Sequence, residues 1–382
     1  MARFVRPLAL ITLLALCATV CTKRSTDGRL GQEPFDLSRT VQRAVRRPYF
    51  RQRQYEKSVL EHHMTESWLE ILKEASEWLS SHCACQFGRN MWNCTTSSWK
   101  KFLLRAHPEA GYFRAALSAS VVFHTARHCA MGKITCYMGN TTNSKNPSHL
   151  EYKLFFSDFA KKQTFCDYHF TEGLRAAKIL DILDGFFFHA MSKSKKRRWS
   201  RSRDLHTNYY NNAVGREKIK DIRPHLRCFC SGPSGTCVLK TCSYVETKRM
   251  LTRTADALYQ QYQKFVNGGT AAVESARALI AEAQVQPRPA TVATHRNMSV
   301  IATRHSPNYC RRNSNWGLLG PRGRSCREAC GENVEYFTGS PACNEICCGR
   351  LHTHVTEYQC DCKLEDWDLR CKICSRAVTV CA

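Results

Sequence analysis

CNEICCGRLHTHVTEYQCDCKLEDWDLRCKICSRAVTVC, Cys343 to Cys381, places eight cysteines in one short stretch. With Cys310, Cys326 and Cys330 just upstream, 11 of the chain's 23 cysteines fall between Cys310 and Ala382. A segment this rich in charge, Gly and Cys has too few apolar residues to hold itself together by burial. It needs covalent staples, each contributing roughly 2–4 kcal/mol. The expected unit is a small, cysteine-rich β domain over 301–382.

Paired thiols require an oxidising compartment, and the other end of the chain supplies the route. Met1 to Cys21 has a basic start (Arg3, Arg6), an apolar run from Leu8 to Leu16 and small residues such as Ala15 and Ala18, the pattern of a secretory signal peptide. No other apolar stretch reaches the roughly 18 residues of a membrane span. The expected product is secreted, into extracellular space and extracellular matrix. Its 57 basic against 32 acidic residues, a formal charge of +25, imply a polyanionic partner. Outside a cell that means sulfated polysaccharide or an acidic membrane surface, and no nucleic acid.

With 43% hydrophobic residues the chain can build one real core. The first half reads as helical. Residues 57–80 space Leu60, Met64, Trp68, Ile71, Leu72 and Leu79 as on a helix, and further helices are expected over Glu109–His128, Phe170–Met191 and Glu246–Val266. Residues 22–56 read as an N-terminal extension, 57–266 as the helical domain, and 267–300, with Gly268, Gly269, Pro287 and Pro289, as a linker holding at most one short helix. The run Ser192–Arg203 carries Lys193, Lys195, Lys196, Arg197, Arg198, Arg201 and Arg203. Such like charges repel and stay solvated, so a loop is expected. It could bind heparan sulfate, be cut by a dibasic-site protease, or be only a solvated loop. Sequons at Asn93, Asn140 and Asn297 are expected glycosylation sites in an exported chain.

The sharpest chemistry lies in RCFCSGPSGTCVLKTC, Arg227 to Cys242. Its cysteine spacing fits an antiparallel hairpin stapled twice if Cys228 pairs with Cys242 and Cys230 with Cys237. The tip from Ser231 to Thr236 holds only small or turn-forming residues. Nothing there can bury itself, so the Ser234 hydroxyl is expected to project outward.

This hairpin resembles the acylated C-x-C-H-G-x-S-G-S-C hairpin of Wnt ligands, and six further motifs follow that family's order. They are CACQFGRNMWNC (Cys83 to Cys94), ALSASVVFHTARHC (Ala116 to Cys129), NNAVGR (Asn211 to Arg216), SPNYC (Ser306 to Cys310), GPRGRSC (Gly320 to Cys326) and CNEICCGR (Cys343 to Arg350). The resemblance covers residues 57–382 and implies an α+β, disulfide-rich fold of a helical domain bearing the stapled hairpin 227–242 and a cysteine-rich C-terminal domain. It also implies that Ser234 is esterified with a palmitoleoyl chain by a membrane O-acyltransferase and that a secretion carrier handles the lipidated product. The chain would then insert into a groove on the Frizzled cysteine-rich domain. A second receptor contact is implied at the C-terminal hairpin tip, Trp367 here, together with an LDL-receptor-related co-receptor and association with membrane surfaces through the lipid.

By position the resemblance implies bridges Cys83–Cys94, Cys129–Cys136, Cys228–Cys242, Cys230–Cys237, Cys310–Cys348, Cys326–Cys343, Cys347–Cys381, Cys360–Cys374 and Cys362–Cys371. Met138 replaces a family cysteine, which orphans Cys166; Cys85 and Cys330 are extra. Cys85 and Cys166 are expected either to pair with each other or to stay free. Ser231 and Thr236 replace a family His and Ser around the acceptor. In KLEDWDLRC, Lys363 to Cys371, acidic residues flank Trp367, and an acidic tip desolvates poorly against an apolar receptor patch.

Three other readings stand beside this one. Cys360, Cys362, Cys371 and Cys374 have zinc-ribbon spacing. Ser234 with His225 lacks a nucleophile elbow, so no enzyme is expected, and no metal or cofactor beyond the acyl group. A secreted, heparin-binding, disulfide-rich matrix protein without receptor activity fits the charge and the bridges equally well.

Overall fold

The computed structural model describes residues 35–46, 64–134, 172–191, 195–221, 226–231, 239–244, 247–285, 298–330, 333–336, 341–365 and 368–382. They form helices α1 (Leu37–Val45), α2 (Glu66–Gln86), α3 (Trp99–Leu103), α4 (Pro108–Ala130), α5 (Ile179–Met191) and α6 (Lys195–Asp221). After a hairpin of β1 (Leu226–Ser231) and β2 (Leu239–Tyr244) come α7 (Thr247–Asn267) and α8 (Gly269–Val285). The C-terminal part holds β3 (Arg327–Cys330), β4 (Asn333–Tyr336), α9 (Pro341–Ile346), β5 (Leu351–Glu365) and β6 (Asp368–Cys381). The architecture is helix-rich with small two-stranded antiparallel sheets, β1–β2, β3–β4 and β5–β6.

α4 is the centre of the helical part because almost its whole surface is covered. Ala110, Tyr112, Phe113, Ala115, Ala116, Leu117, Ala119, Val121, Val122 and Phe123 are all buried, and so are its polar residues Arg114, His124 and His128, each with a partner. Pro108 opens it where a missing N–H costs nothing, and the buried His107 imidazole accepts the Ala110 N–H at 3.3 Å. Around α4 pack α2, α6 and α7, with Phe87, Trp92, Phe102, Tyr112, Tyr259 and Tyr262 in a mesh of edge-on, tilted and stacked rings.

The NNAVGR motif fastens α6 to this centre. Asn211 pairs with both backbone groups of Ile301, donating to its carbonyl at 2.9 Å and accepting its N–H at 3.1 Å. Asn212 donates to Asp181 and Asp184 of α5, and Arg216 bonds Asp181 at 3.0 Å. Arg114 of α4 forms a buried ion pair with Asp184 and donates to the Leu103 carbonyl. Gly215 lets two backbones touch: a Cβ there would stand 1.9 Å from the Ala115 carbonyl oxygen.

Three sequence expectations are corrected. Residues 22–56 are not wholly an extension, since Phe35, Leu37, Val41 and Ala44 of α1 and its entry join the main core. The short, Arg-rich helix hid its apolar face; Asp36 caps it by accepting the Arg39 N–H at 3.0 Å. The basic run is not a loop but the first turns of α6, for Lys and Arg are good helix formers and neither Gly nor Pro interrupts them. The helix allowed for within 267–300 is α8, 17 residues and thus not short, whose Ala276 and Ile280 bury against Ile301; Gly269, at φ +54°, makes the break from α7. The stretch from Phe170 is also interrupted, with a helical turn over 172–176 before α5 begins at Ile179. The expected signal peptide lies outside the described residues.

Gly215→Ala forces α4 and α6 apart, because the obstruction is backbone and not a side chain that can swing away. The expected loss is about 2 kcal/mol or more, read as a lowered Tm and reduced yield of folded protein. A Gly215→Ala protein with wild-type Tm contradicts this packing.

Candidate functional site

The β1–β2 ladder pairs Leu226 with Tyr244 through Ser231 with Leu239, and sets Cys228 opposite Cys242. Antiparallel pairing at directly opposed positions brings Cα atoms within disulfide reach. In chain order the ribbon stands between α6, which buries Val214 and Ile219, and α7, which buries Met250, Leu251 and Leu258. Cys230 stands opposite Lys240; the connection 232–238, with Ser234 and Cys237, lies outside the described residues.

The β5–β6 ribbon is longer. Leu351 pairs with Cys381 and the ladder continues to Cys360 opposite Lys372, then resumes one residue out of step at Lys363 opposite Arg370. Asp361 and Cys362 therefore face the single Cys371, a β-bulge, and Asp361 takes the left-handed φ of +47° it requires. The bulge brings Cys362 to 4.0 Å from Cys371, Cα to Cα, while Cys360 bridges diagonally to Cys374 at 5.9 Å. Both bridges sit directly below the hairpin end, where Glu365 pairs with Asp368. Residues 366–367, with Trp367, lie outside the described residues.

The ribbon's base is tied to the rest of the molecule covalently and by one buried cation. Cys347–Cys381, Cys326–Cys343 and Cys310–Cys348 close it. Arg324, buried, donates to the carbonyls of Met91 and Gly88, both at 2.8 Å, and so clamps the C-terminal part onto the loop that follows α2. That loop is itself closed by Cys83–Cys94. The sulfurs of Cys326, Cys343 and Cys347 gather within 4.8 Å of one another, yet all three are spent in disulfides. The same holds for Cys360, Cys362, Cys371 and Cys374, which removes the zinc-ribbon reading: a bridged sulfur is no thiolate ligand.

Of the remaining expected positions, Cys85 and Cys129 are both disulfide-bonded, so Cys85 is not free; Cys136 and Cys166 lie outside the described residues. Asn93 is half-buried, and Thr95 Oγ1 donates to its Oδ1 at 2.5 Å. Asn140, Asn297 and Lys193 lie outside the described residues. Lys195, Lys196, Arg197, Arg198 and Arg201 stand on the opening turns of α6, and Arg203 is half-buried there.

A family model, the Wnt family, matches residues 48–382. The chain belongs to the Wnt family. A chain of a solved human complex, WLS with WNT8A, matches at 18% identity and a TM-score of 0.44, over 83% of this chain and 96% of that one. Within this Wnt-family chain the NNAVGR and GPRGRSC motifs act structurally, through the Asn211, Asn212 and Arg216 clamps and through Arg324. Among the described residues no helix is long and apolar enough to cross a membrane.

One ionisable cluster was missed from sequence, although His124 and His128 stand four apart in FHTARHC and therefore share a helix face. Both imidazoles donate to Glu74 Oε2 of α2, His124 from Nδ1 at 3.2 Å and His128 from Nε2 at 3.1 Å. The opposite ring nitrogens, His124 Nε2 and His128 Nδ1, are buried without partners, so protonating either ring strands an N–H. Burial brings His124 down to about 4, against the pull of Glu74 and with help from Arg127 and His128. Burial pushes the Glu74 carboxyl up, but the two imidazoles outweigh it and hold it below its usual range. For His124 the folded value lies below the unfolded 6.5, so its stabilisation is full above pH 6.5 and is lost as pH falls toward 4. Glu74 acts in the same direction at still lower pH. The protein is expected to lose up to about 3 kcal/mol over that window, seen as a falling Tm, and His124→Gln should flatten the profile. An unchanged slope in His124→Gln removes His124 from the account.

Proposed function

We propose that this Wnt-family chain is secreted and acts by binding, as a ligand whose grip comes from a palmitoleoyl chain esterified to Ser234. The single observation that supports this most is the β1–β2 stem, a six-pair antiparallel ladder with Cys228 opposite Cys242. A two-stranded ribbon has no core of its own, and such a stem is suited to presenting something attached at its end. At about 0.8 kcal/mol per buried methylene, a mostly buried acyl chain contributes on the order of 10 kcal/mol before ordering costs, more than any small polar loop provides.

In this reading a membrane O-acyltransferase installs the lipid, a secretion carrier shields it in transit, and the chain enters a groove on the Frizzled cysteine-rich domain. The β5–β6 tip with Trp367 makes the second receptor contact, and an LDL-receptor-related co-receptor completes the complex. Glycans on Asn93, Asn140 and Asn297 and heparan sulfate on the basic run belong to the same extracellular setting. The protein catalyses nothing and needs no metal or cofactor beyond the acyl group.

Ser234→Ala tests the proposal. Intact-mass spectrometry of the secreted variant should lack the acyl mass, and binding to the Frizzled cysteine-rich domain should weaken at least 100-fold while Tm stays unchanged. Wild-type receptor activation by the variant overturns the proposal, and wild-type protein without any acyl mass favours the matrix-protein reading instead.

A further inference from the structure

Of the seven large hydrophobic residues exposed among the described residues, four stand on the β5–β6 ribbon: Leu351, Val355, Tyr358 and Ile373. Val355 and Ile373 are the most open, at 66% and 73%. Opposed residues of an antiparallel ladder share a face, and positions two apart along a strand return to it. Leu351, Val355, Ala377 and Ile373 therefore lie on one face, and Tyr358, Lys372 and Arg376 on the other. An apolar patch left open is a mark of an interaction site.

The two edges of the ribbon differ. The outer edge of β6 is taken at its base: Ser325 bridges Val380, the Cys326 N–H donates to the Thr379 carbonyl at 3.0 Å, and the Cys381 N–H donates to the Arg324 carbonyl at 2.8 Å. Farther out, β6 carries the exposed cations Lys372 and Arg376, the kind of charge that keeps an edge from pairing. β5 has neither protection. Among the described residues no strand or bridge lies on its outer side, and residues 351–360 contain no Pro, Gly, Lys or Arg. The bulge at Asp361 and Cys362 ends this regular stretch. Such a row of unpaired N–H and C=O groups is a template for another strand.

We propose that β5 pairs with β5 of a second copy of this chain, antiparallel and across a two-fold axis at Val355, so that two ribbons join into one four-stranded sheet. Rotation about an axis normal to the sheet keeps each face on its own side, so odd positions meet odd positions. A centre at Val355 uses 351–359, stops short of the bulge and places the open valine on the axis. Leu351 then stands opposite the partner's Gln359, Glu357 opposite the partner's Thr353, and Tyr358 opposite the partner's His352. A centre at Glu357 would instead oppose two carboxylates. Because Val355 pairs with Ala377 within each ribbon, the two valines and two alanines form one apolar row across all four strands. Charge selects the same occupant. Residues 350–356 hold Arg350 and no Asp or Glu, while Glu357 and Asp361 lie farther out. Antiparallel pairing sets each base beside the other copy's acidic half, whereas parallel pairing sets like beside like.

The test is sedimentation velocity of the full-length protein in nonionic detergent, run over a range of protein concentrations. Ser234→Ala is run in parallel, so that association through an acyl chain reads separately. A reversible monomer–dimer equilibrium is expected in both. Val355→Lys opposes two ammonium groups on the axis and should weaken the dimer about tenfold or more, with Tm unchanged because so exposed a side chain supports little in the monomer. Ile373→Lys, on the same face but one strand in from the edge, should leave the dimer as strong as wild type. Hydrogen exchange gives a readout that needs no variant: amides of 351–359 should gain protection as protein concentration rises, and those of 372–378 should not. Wild-type protein that stays monomeric up to about 100 µM, beyond the range of a functional weak interface, overturns the proposal, as does Val355→Lys dimerising like wild type with no concentration-dependent protection in β5. Loss of the dimer in Ser234→Ala assigns association to the lipid instead. Dissociation by Ile373→Lys as strong as by Val355→Lys replaces edge pairing with packing of the apolar faces.

Discussion

The contact of α4 with α6 at Gly215 and Ala115 is the constraint from which the helical part follows. Backbones this close leave no room for a side chain between them, so at this contact α6 is positioned by polar clamps at its flanks, beside the apolar burial of Val214 and Ile219. Asn211 on Ile301, Asn212 and Arg216 on Asp181, and Arg114 on Asp184 supply those clamps. Each is buried or partly buried, where an unpaired polar group costs about 1–3 kcal/mol, so only one placement of α6 satisfies them together. That placement also fixes where the chain leaves α6 to begin the β1–β2 ribbon.

The C-terminal part obeys a different rule. Its own buried cluster is Cys326, Cys343, Ile346, Cys347 and Cys381, in which every member but Ile346 is a half-cystine. Sulfur here serves as both staple and core, which lets a short, charged segment keep a single shape with almost no aliphatic burial. Docking onto the helical part falls to Leu318, Tyr309 and Trp316, which join the main core, and to Arg324. A guanidinium reaching two carbonyls of one loop sets orientation as well as distance.

Much of this was legible in the sequence, and the failures have physical causes. The long helices were visible because their apolar periodicity is strong: Trp68, Ile71, Leu72 and Leu79 lie buried on α2 as their spacing requires. Cys83–Cys94, Cys310–Cys348, Cys326–Cys343, Cys347–Cys381, Cys360–Cys374 and Cys362–Cys371 are bridges that the family resemblance implies; spacing alone leaves many pairings open. α1 was missed because its amphipathic pattern lasts only nine residues, too short to stand out from an extension, and the length of α8 was underestimated because Gly268 and Gly269 read as a linker when they form only the break between two helices. The helical start of α6 was missed because charge repulsion was weighed above propensity. The meeting of residues 96–106 with 303–317 was not legible at all, since it depends on which carbonyls Thr303, Arg304 and Lys101 find after folding. The same is true of Glu74 meeting His124 and His128 across two helices.

Charge is mixed along the β5–β6 ribbon, although the chain carries +25 overall. Between Asp361 and Lys372 the sequence sets Lys363, Arg370 and Lys372 among Asp361, Glu365, Asp366 and Asp368. The Lys372–Asp361 pair at 3.9 Å is exposed, where screening weakens it. The bulge at Asp361 bends the ribbon just below its end, and the bridges Cys360–Cys374 and Cys362–Cys371 hold the two strands together beside it. The shape of this end is therefore set by covalent geometry and the bulge, and not by exposed ion pairs that salt dissolves.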